Sequence, residues 1–409
     1  MAIKPTGYGE NTLANPTVLT TASNGGVVLV SVDFGEPDYA ESLDELRQLV
    51  TSAGMNVRAT IEGKRSAPDA KLFIGSGKAD ELKLMLESSE TSLVAFNHDL
   101  SPSQQRNLER FLQTKVLDRT GLILDIFAQR AKSHEGKLQV ELAQQEHLST
   151  RLVRGWTHLE RQKGGIGVRG GPGEKQLELD KRMIGVRVKQ LREKLAKLKQ
   201  QRNMQRKSRK RSNTMSVSLV GYTNAGKSTL FNRLTQSGVY AADQLFATLD
   251  TTSRKLYLGD AQSDYNDEGQ YVGRTEVVIS DTVGFIKHLP TMLIEAFGAT
   301  LEEAAQADLL LHIVDVVSTN RDAQTAQVNK VLNEIGASAV PQVIILNQID
   351  RLDGLTADSA PGLQRDEYGR IMQIRVSAKT GAGVEFIKLA LTEHQQWLKK
   401  LSTEESAYA

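Results

Sequence analysis

The stretch Gly221-Tyr-Thr-Asn-Ala-Gly-Lys-Ser228 directly follows the apolar run Val217-Ser-Leu-Val220. The apolar run is typical of a buried strand. The two glycines of the next segment permit backbone angles that bulkier residues resist. Backbone N–H groups of such a turn, and of the helix that follows it, surround phosphate oxygens. The order of strand, glycine loop and helix therefore predicts an α/β fold that binds a nucleoside triphosphate.

The positions of this loop have separate predicted roles. Lys227 can reach the β and γ phosphates and is a candidate catalytic residue, and the Ser228 hydroxyl suits a Mg²⁺ ligand. The helical spacing of Leu230 and Leu234 argues against a glycine turn that only matches the pattern by chance. The other predicted nucleotide-binding positions of the loop are Gly221, Tyr222, Thr223, Asn224, Ala225 and Gly226.

A second pattern predicts the base. The strand-like run Val343-Ile-Ile-Leu346 ends in Asn-Gln-Ile-Asp, and the strand-like run Ile371 to Val376 leads into Ser-Ala-Lys. The Asp350 carboxylate can accept hydrogen bonds from guanine N1–H and the exocyclic amine, whereas adenine offers no such donor pair. Gln348 stands where GTPases usually carry lysine, which predicts weaker packing over the base. The predicted guanine-binding residues are Asn347, Gln348, Ile349, Asp350, Ser377, Ala378 and Lys379.

Two loops are predicted to sense the γ-phosphate. The strand candidate Val277-Val-Ile-Ser280 precedes Asp281, Thr282, Val283 and Gly284. Asp281 would hold a Mg²⁺-bound water, and the Gly284 N–H would contact the γ-phosphate, which makes Gly284 a candidate catalytic residue. The other loop contains the predicted nucleotide-binding residues Phe246, Ala247, Thr248, Leu249 and Asp250.

Thr248 is the chosen second hydroxyl ligand of Mg²⁺ and the third candidate catalytic residue. Only the triphosphate state would pull such a loop inward. Thr251 and Thr252 are alternatives that the sequence separates poorly, and a plain polar loop is the remaining interpretation.

Phe285 follows Gly284, at the position where many small GTPases place glutamine. A benzyl group cannot hydrogen-bond to water, so this residue predicts slow intrinsic hydrolysis. Unassisted GTPases turn over on the order of 10⁻⁴ to 10⁻² per second, and a partner-supplied group can add about 10³ to 10⁵. His288 could orient water, although a solvated loop histidine is the commoner interpretation. GTP would then act chiefly as a timer and conformational latch.

Composition narrows the class of protein. The chain has 409 residues, enough for two or three domains, and no cysteine for disulfides or thiol-based metal sites. The N-terminus lacks an apolar signal core, and no stretch approaches eighteen consecutive apolar residues. We therefore expect a cytoplasmic protein without an integral membrane segment, with peripheral membrane contact left open.

Positive charge is concentrated in one segment. Residues 181–211 contain fourteen Lys or Arg and one acid, a net charge of +13, so the rest of the chain sums to 2 − 13 = −11. Apolar residues at 184, 188, 191, 195 and 198 predict a helix with one apolar seam. Cations without interspersed acids repel each other unless a polyanion neutralises them, which favours RNA contact over a merely solvated helix face.

An upstream helical stripe contains Leu138, Leu142, Leu152, Trp156 and Leu159, and a stretch with six glycines, residues 164–173, separates it from the basic segment. This arrangement predicts an antiparallel helical hairpin with a flexible tip that carries Arg169. A linker without function is the alternative. We assign the hairpin to residues 136–212 and its tip to 164–173.

A small α/β domain is predicted ahead of the hairpin, over residues 1–135, from short apolar runs that alternate with amphipathic stretches. Gly75-Ser-Gly-Lys78 lacks the spacing and the hydroxyl residue of a phosphate loop, so a turn at the start of a helix is the favoured interpretation. The GTPase domain, a mostly parallel sheet with flanking helices, is assigned to 213–398, and a polar, frayed tail to 399–409.

The motifs together resemble those of the HflX family of ribosome-associated GTPases. The resemblance is carried by GYTNAGKST, LFATLDTT, DTVGFI and NQID, preceded by GPGEKQLELD. In the N-terminal half it extends to FIGSGKADEL and DRTGLILDIFAQRAKSHEGKLQVELAQ. It implies a translational-type GTPase that uses GTP and Mg²⁺, is a monomer away from the ribosome, and binds the large ribosomal subunit and its RNA through the hairpin. It also implies a role in splitting or rescuing stalled ribosomes.

Two other functions stay open on the residues alone. One is a GTP-dependent enzyme that modifies or processes RNA, although the N-terminal half offers no metal cluster or nucleophile–base spacing. The other is a membrane-recruited switch, which the aliphatic seam at residues 184–198 disfavours because interfacial helices carry Trp or Phe.

Overall fold

The computed structural model describes residues 26–89, 91–154, 172–211, 214–236, 245–258, 275–287, 289–352 and 359–408. Two compact units are present. The first comprises Met1–Glu36, Ala53–Gln129 and Gln144–Arg187, and the second comprises Pro37–Ser52, Arg130–Ala143 and Val188–Ala409. The domain boundaries that we expected after residues 135, 212 and 398 stay predictions. Residues 164–171 of the predicted hairpin tip, and Arg169 with them, lie outside the described residues.

The first unit contains a four-stranded parallel sheet with the order β2-β1-β3-β4. Valines and aromatic residues such as Val28, Val94 and Phe96 form its core, which explains why these apolar runs are recognisable as strands. Its strands are β1 (Gly26–Asp33), β2 (Asn56–Lys64), β3 (Leu93–Phe96) and β4 (Lys115–Leu117). Helices follow three of the strands, as α2 (Ser76–Ser88), α3 (Pro102–Leu112) and α4 (Arg119–Arg130).

Helix α1 (Tyr39–Ser52) falls in the second unit, although it follows β1 in the sequence. Two longer helices come after α4: α5 (His134–Arg154) and α6 (Pro172–Arg211). In the second unit Leu138 and Leu142 of α5 pack against the buried Leu191 of α6. The helical spacing of leucines on both segments produces this contact.

A seven-stranded sheet organises the second unit, in the order β10-β11-β9-β8-β5-β7-β6. Five central strands are parallel, while β6 and β10 pair antiparallel at the two edges. The strands are β5 (Met215–Gly221), β6 (Thr252–Leu258), β7 (Thr275–Asp281), β8 (Leu309–Asp315), β9 (Gln342–Asn347), β10 (Gly362–Arg365) and β11 (Ile371–Arg375). The predicted phosphate, magnesium and base motifs follow β5, β7 and β9, so they meet at one edge of the sheet.

The helices of this sheet are α7 (Lys227–Thr235), α8 (Thr291–Ala296), α9 (Gly298–Ala305), α10 (Arg321–Glu334) and α11 (Val384–Tyr408). The expectation of a frayed tail over 399–409 was wrong, because α11 continues as a helix through Tyr408. The polar composition of these residues suits an exposed helix as well as a tail.

Candidate guanine nucleotide site

The loop between β5 and α7 is built on two glycines that other residues could not replace. Gly226 adopts φ +92°, and an added Cβ would lie 2.2 Å from Nδ2 of Asn347. At Gly221 an added Cβ would lie 2.2 Å from the carbonyl oxygen of Ile313. The close approach of backbone to neighbouring strands therefore fixes the path of the loop, as the glycine pattern predicted.

Lys227 begins α7 and is buried below this loop. Its Nζ donates hydrogen bonds to the carbonyl oxygens of Gly221 (3.1 Å) and Tyr222 (2.6 Å). Burial lowers the pKa of Lys227 to about 8, and the charge of Asp281 opposes that shift. An anion at this position would be attracted both by the ammonium group of Lys227 and by the N-terminus of helix α7.

Hydroxyl and carboxylate oxygens converge beside the lysine. The Ser228 Oγ lies 2.7 Å from Oγ1 of Thr248 and donates to Oδ2 of Asp281 at 2.7 Å. Oδ1 of Asp281 is buried without a hydrogen-bond partner among the described residues. Burial raises the pKa of Asp281, while the Ser228 hydroxyl and the Lys227 charge lower it. Such hard oxygen donors, one of them unsatisfied, fit a magnesium ion and its water ligands.

The two alternatives to Thr248 occupy different positions. Oγ1 of Thr251 is buried without a hydrogen-bond partner among the described residues, and Thr252 is the first residue of β6. Within the part of the chain that the structure describes, the Ser228 hydroxyl pairs with Thr248 and Asp281 and with neither of these threonines. Thr248 is thus the threonine that the structure places beside the serine of the phosphate loop.

The base motif contacts the phosphate loop directly. The side chain of Asn347 donates to the carbonyl oxygen of Ala225 and accepts from the Ala378 N–H, each at 2.9 Å. Asp350 accepts a hydrogen bond from the Ser377 hydroxyl at 2.6 Å. Two loops that are distant in the sequence are therefore joined to the phosphate loop, which produces one continuous site.

Gln348 has a role that its residue type did not reveal. It adopts the left-handed conformation with φ +68°, and its Nε2 donates to the carbonyl oxygen of Asn224 at 3.1 Å. From the sequence, this residue is predicted only to replace a lysine over the base. The amide instead links the base motif to the phosphate loop.

The segment after β7 is held against the phosphate loop through its backbone. The Thr223 N–H donates to the carbonyl oxygen of Phe285 at 2.8 Å, and the Phe285 N–H donates to that of Gly221 at 3.2 Å. The Phe285 ring is completely buried, so neither its side chain nor its N–H is available to water. A Cβ on Gly284 would lie 2.9 Å from Nζ of Lys227, which brings this glycine next to the buried cation. The alternative water-orienting residue, His288, lies outside the described residues.

A cavity of about 1250 Å³ joins these elements. It is lined by sixteen of the predicted residues: Tyr222, Thr223, Asn224, Gly226, Lys227, Ser228, Phe246, Ala247, Thr248, Thr282, Gly284, Asn347, Gln348, Asp350, Ala378 and Lys379. Seven others pack behind the lining: Gly221, Ala225, Leu249, Asp281, Val283, Ile349 and Ser377. Asp250 is directed elsewhere, because its carboxylate binds the backbone N–H groups of Lys132 and Ser133.

Sequence reasoning missed the contribution of α1. One face of this segment carries polar residues at positions 38, 41, 45, 48 and 52, which are spaced by three and four. Glu45 accepts a hydrogen bond from the Tyr222 hydroxyl, and Gln48 accepts one from Nδ2 of Asn224 at 3.2 Å. Ser52 accepts one from the Leu245 N–H at 2.9 Å. The spacing was a detectable signal of a polar contact surface, but it did not identify the partner.

The same face reaches the segment after β7. Asp38 and the Nζ of Lys287 form an ion pair at 2.8 Å, and the Lys287 N–H donates to the Tyr222 hydroxyl at 2.7 Å. Tyr222 therefore connects α1, the phosphate loop and the segment that follows Gly284. Helix α1 and the Asp38 that precedes it together contact all three elements that surround the phosphate end of the cavity.

The phosphate loop, the oxygen cluster and the base motif define this molecule as a P-loop GTPase. Residues 216–348 match the sequence family described as "50S ribosome-binding GTPase". Residues 40–128 and 130–209 match the families described as the N-terminal and middle regions of a GTP-binding GTPase. The chain is 51% identical over 366 residues to GTPase HflX of Escherichia coli K12, covering 90% of this chain and 82% of the relative. It belongs to the HflX family of GTPases, so the class of GTP hydrolase is established.

Other relatives agree with this assignment. GTPase HflX of Magnetococcus marinus is 47% identical over 345 residues, covering 84% of this chain and 75% of the relative. A crystal structure of SsGBP with GDP has a TM-score of 0.51 at 24% identity, covering 91% of this chain and 99% of that one, and supports the fold. None of the helices in the described parts of the chain combines the length and apolarity needed to cross a bilayer.

Proposed function

We propose that this GTPase binds the large ribosomal subunit and splits or rescues stalled ribosomes, with GTP as the conformational latch. The observation that carries the proposal is the charged surface of α6. Lys189, Lys194 and Lys197 are exposed on this helix. Residues 181–211 contain a single acid to offset them. A surface of like charges gains free energy when phosphates replace its counterions, and ribosomal RNA supplies such phosphates. The family description of residues 216–348 supports the same partner.

We further propose that Mg²⁺ accompanies the nucleotide. Ser228 and Thr248 would be its protein ligands, and Asp281 would hold one of its waters. When bound, the ion neutralises charge on the phosphate oxygens. The residues of the chain provide the rest: the buried Lys227 orients the phosphates, and the closely packed Gly284 would present its N–H to the γ-phosphate.

The proposed intrinsic rate of hydrolysis is slow. Phe285 is buried and its N–H is already bonded, so this position provides no group that can orient the attacking water. Residues at the corresponding position of faster GTPases perform that task. We therefore expect the ribosome to stimulate turnover by about 10³-fold or more, in line with other partner-activated GTPases.

Cosedimentation with separated ribosomal subunits tests the partner. The protein should pellet with the large subunit when a non-hydrolysable GTP analogue is bound, and much less with GDP or with the small subunit. Neutralising Lys189, Lys194 and Lys197 to glutamine should reduce the slope of log affinity against log salt by about 2 to 3. The matched control changes Lys330, Lys388 and Lys400, which are exposed lysines outside α6. An equal effect of both triple variants would reject α6 as the RNA-binding surface.

The base assignment has its own test. Asp350→Asn should weaken GDP binding and favour xanthosine diphosphate, because the asparagine amide offers a donor where guanine also has donors. Competition titrations with a fluorescent nucleotide measure both affinities. An unchanged preference for guanine would refute the role of Asp350.

A further inference from the structure

Asp250 holds the start of helix α5. Its Oδ2 accepts hydrogen bonds from the N–H groups of Lys132 (2.8 Å) and Ser133 (2.7 Å), and its Oδ1 accepts one from the Ser133 hydroxyl (2.5 Å). The Ser133 hydroxyl also accepts from the Gly136 N–H at 2.8 Å, which makes it the N-terminal cap of α5. A single carboxylate thus fixes the cap residue Ser133 and the Lys132 that precedes it.

Gly136 shows how close this contact is. A Cβ at this position would lie 2.0 Å from Oδ1 of Asp250 and 3.0 Å from the Ser133 hydroxyl. Glycine inside a helix is unfavourable relative to alanine. The tight contact with the carboxylate gives a physical reason for glycine here.

Asp250 is only two residues from the nucleotide site. Thr248 lies on the same short loop, with its hydroxyl 2.7 Å from that of Ser228 in the phosphate loop. Two peptide units span at most about 7 Å, and Leu249 between Thr248 and Asp250 is buried, so a movement of Thr248 toward or away from the phosphates pulls on Asp250.

Helix α5 in turn is attached to α6. Leu138 and Leu142 pack against Leu191, and Glu135 forms an ion pair with Arg202 of α6 at 2.7 Å. Both groups of the ion pair are largely shielded from solvent, so the bond is more than a surface contact. A shift at the start of α5 would reach the basic helix through these contacts.

We propose that Asp250 couples the nucleotide state to the α5–α6 pair. The nucleotide sets the position of Thr248, Asp250 follows it, and the carboxylate either holds or releases the cap of α5. This coupling rests on the proposed function, because it assigns to the GTP latch a physical route to the RNA-binding helix. The sequence motif alone placed Asp250 beside the nucleotide instead.

Hydrogen–deuterium exchange of the full-length protein tests the coupling. Amides 132–142 should exchange more slowly, by about 5-fold or more, with the non-hydrolysable GTP analogue and Mg²⁺ than with GDP, as typical coupling free energies imply. Gly136→Ala should reduce that difference to less than about 2-fold, because the added methyl displaces the carboxylate. Alanine is the better helix former, so a loss of protection cannot come from helix propensity. Gly185→Ala in α6 is the matched control, since its Cβ would meet nothing within 4 Å.

A second pair of variants examines the carboxylate itself. Asp250→Ala should abolish the nucleotide-dependent difference. Asp366→Ala should preserve it, although Asp366 also accepts two backbone N–H bonds, from Tyr368 and Arg370. Binding of a fluorescent GDP to each variant shows whether its site remains folded. Retained coupling in Gly136→Ala and Asp250→Ala would overturn the proposal.

Hydrogen exchange and binding to the large subunit together distinguish a failure of the coupling from a failure of the proposed function. If the wild-type protein binds both nucleotides but exchanges amides 132–142 equally in each, the coupling is wrong and the function is untouched. If amides 132–142 exchange differently with the two nucleotides but the protein does not bind the large subunit, the proposed partner is wrong and the route through Asp250 stands.

Discussion

Two turns of this chain pair glycine with lysine at the start of a helix, one in each compact unit. Lys78 of the first unit follows Gly75 and Gly77, and Lys227 of the second follows Gly226. Lys78 is half-exposed and forms an ion pair with Glu81 at 2.8 Å on its own helix. Lys227 is buried and donates to two loop carbonyls. Local sequence is similar at the two turns, but Lys227 lines the large cavity that the base and magnesium motifs complete, whereas Lys78 lines a small one of about 100 Å³.

The surroundings explain the difference. Gly75 adopts φ +83° and begins α2 without a side-chain cap, as a turn at the start of a helix requires. At the second turn, Asn347 and Gln348 bind loop carbonyls, and Asp281 approaches through Ser228. A phosphate site thus needs three loops that end at one sheet edge, and a glycine–lysine pair is only the first of its parts.

The largest expected effect comes from removing each lysine in turn. Lys227→Ala should weaken GTP and GDP binding by about 100-fold or more, because hydrogen bonds between a buried cation and phosphate are worth about 1.5–3 kcal/mol each. Lys78→Ala should leave both affinities within about 2-fold, because Lys78 does not line the nucleotide cavity. Titration with a fluorescent GDP measures both. Comparable losses in the two variants would show that the turns are functionally equivalent.

Much of the second unit was predictable because its signals are local. In three places a buried parallel strand leads directly into a motif: before the loop at 221–228, and at the ends of the runs at 277–280 and 343–346. Apolar strands of this kind stand out in a sequence, and parallel topology brings their ends together. These local signals allowed the family and the fold class to be predicted, and the similarity to known GTPases confirmed both.

The unpredicted parts depend on contacts between distant segments. The α1 face at positions 38–52 was recognisable as polar, but nothing in the sequence specified Tyr222 as its partner. Asp250 was assigned to the nucleotide from its position in a motif, whereas Lys132 and Ser133 bind its carboxylate. The helical state of the last residues escaped prediction because polar composition does not distinguish a tail from an exposed helix.

Glycine substitutions sharpen the comparison of the turns. Gly226→Ala should destabilise the second unit by about 2 kcal/mol or more, because alanine at φ +92° is strained and its methyl would collide with Asn347. Gly77→Ala lies in α2, where a Cβ meets nothing within 4 Å, and should stabilise the first unit by about 1 kcal/mol. Chemical denaturation of the two variants measures the changes. Equal effects of the same sign would mean that the backbone of the two turns is equally tolerant.

The smallest expected effect concerns pH, which should act in opposite directions through one buried group in each unit. In the first unit, burial raises the pKa of Asp125 to about 6, although Lys115 opposes the shift. In the second, burial lowers the pKa of His312 to about 4, although a hydrogen bond with Gln342 opposes it. Folded Asp125 thus binds its proton more tightly than the unfolded chain does, whereas folded His312 binds its proton more weakly.

Lowering the pH from 7 to 5 should therefore stabilise the first unit by about 1 kcal/mol through Asp125 and destabilise the second by about 2 kcal/mol through His312. Native-state hydrogen exchange of β3 and β8, corrected for the intrinsic rate at each pH, measures the opening free energy of each unit. Asp125→Asn should remove the contribution of Asp125 to the response of β3 and leave the response of β8 unchanged, and His312→Gln should do the reverse. If both strands lose protection on acidification in the wild-type protein, Asp125 does not govern the first unit, and the contrast between the two buried groups fails.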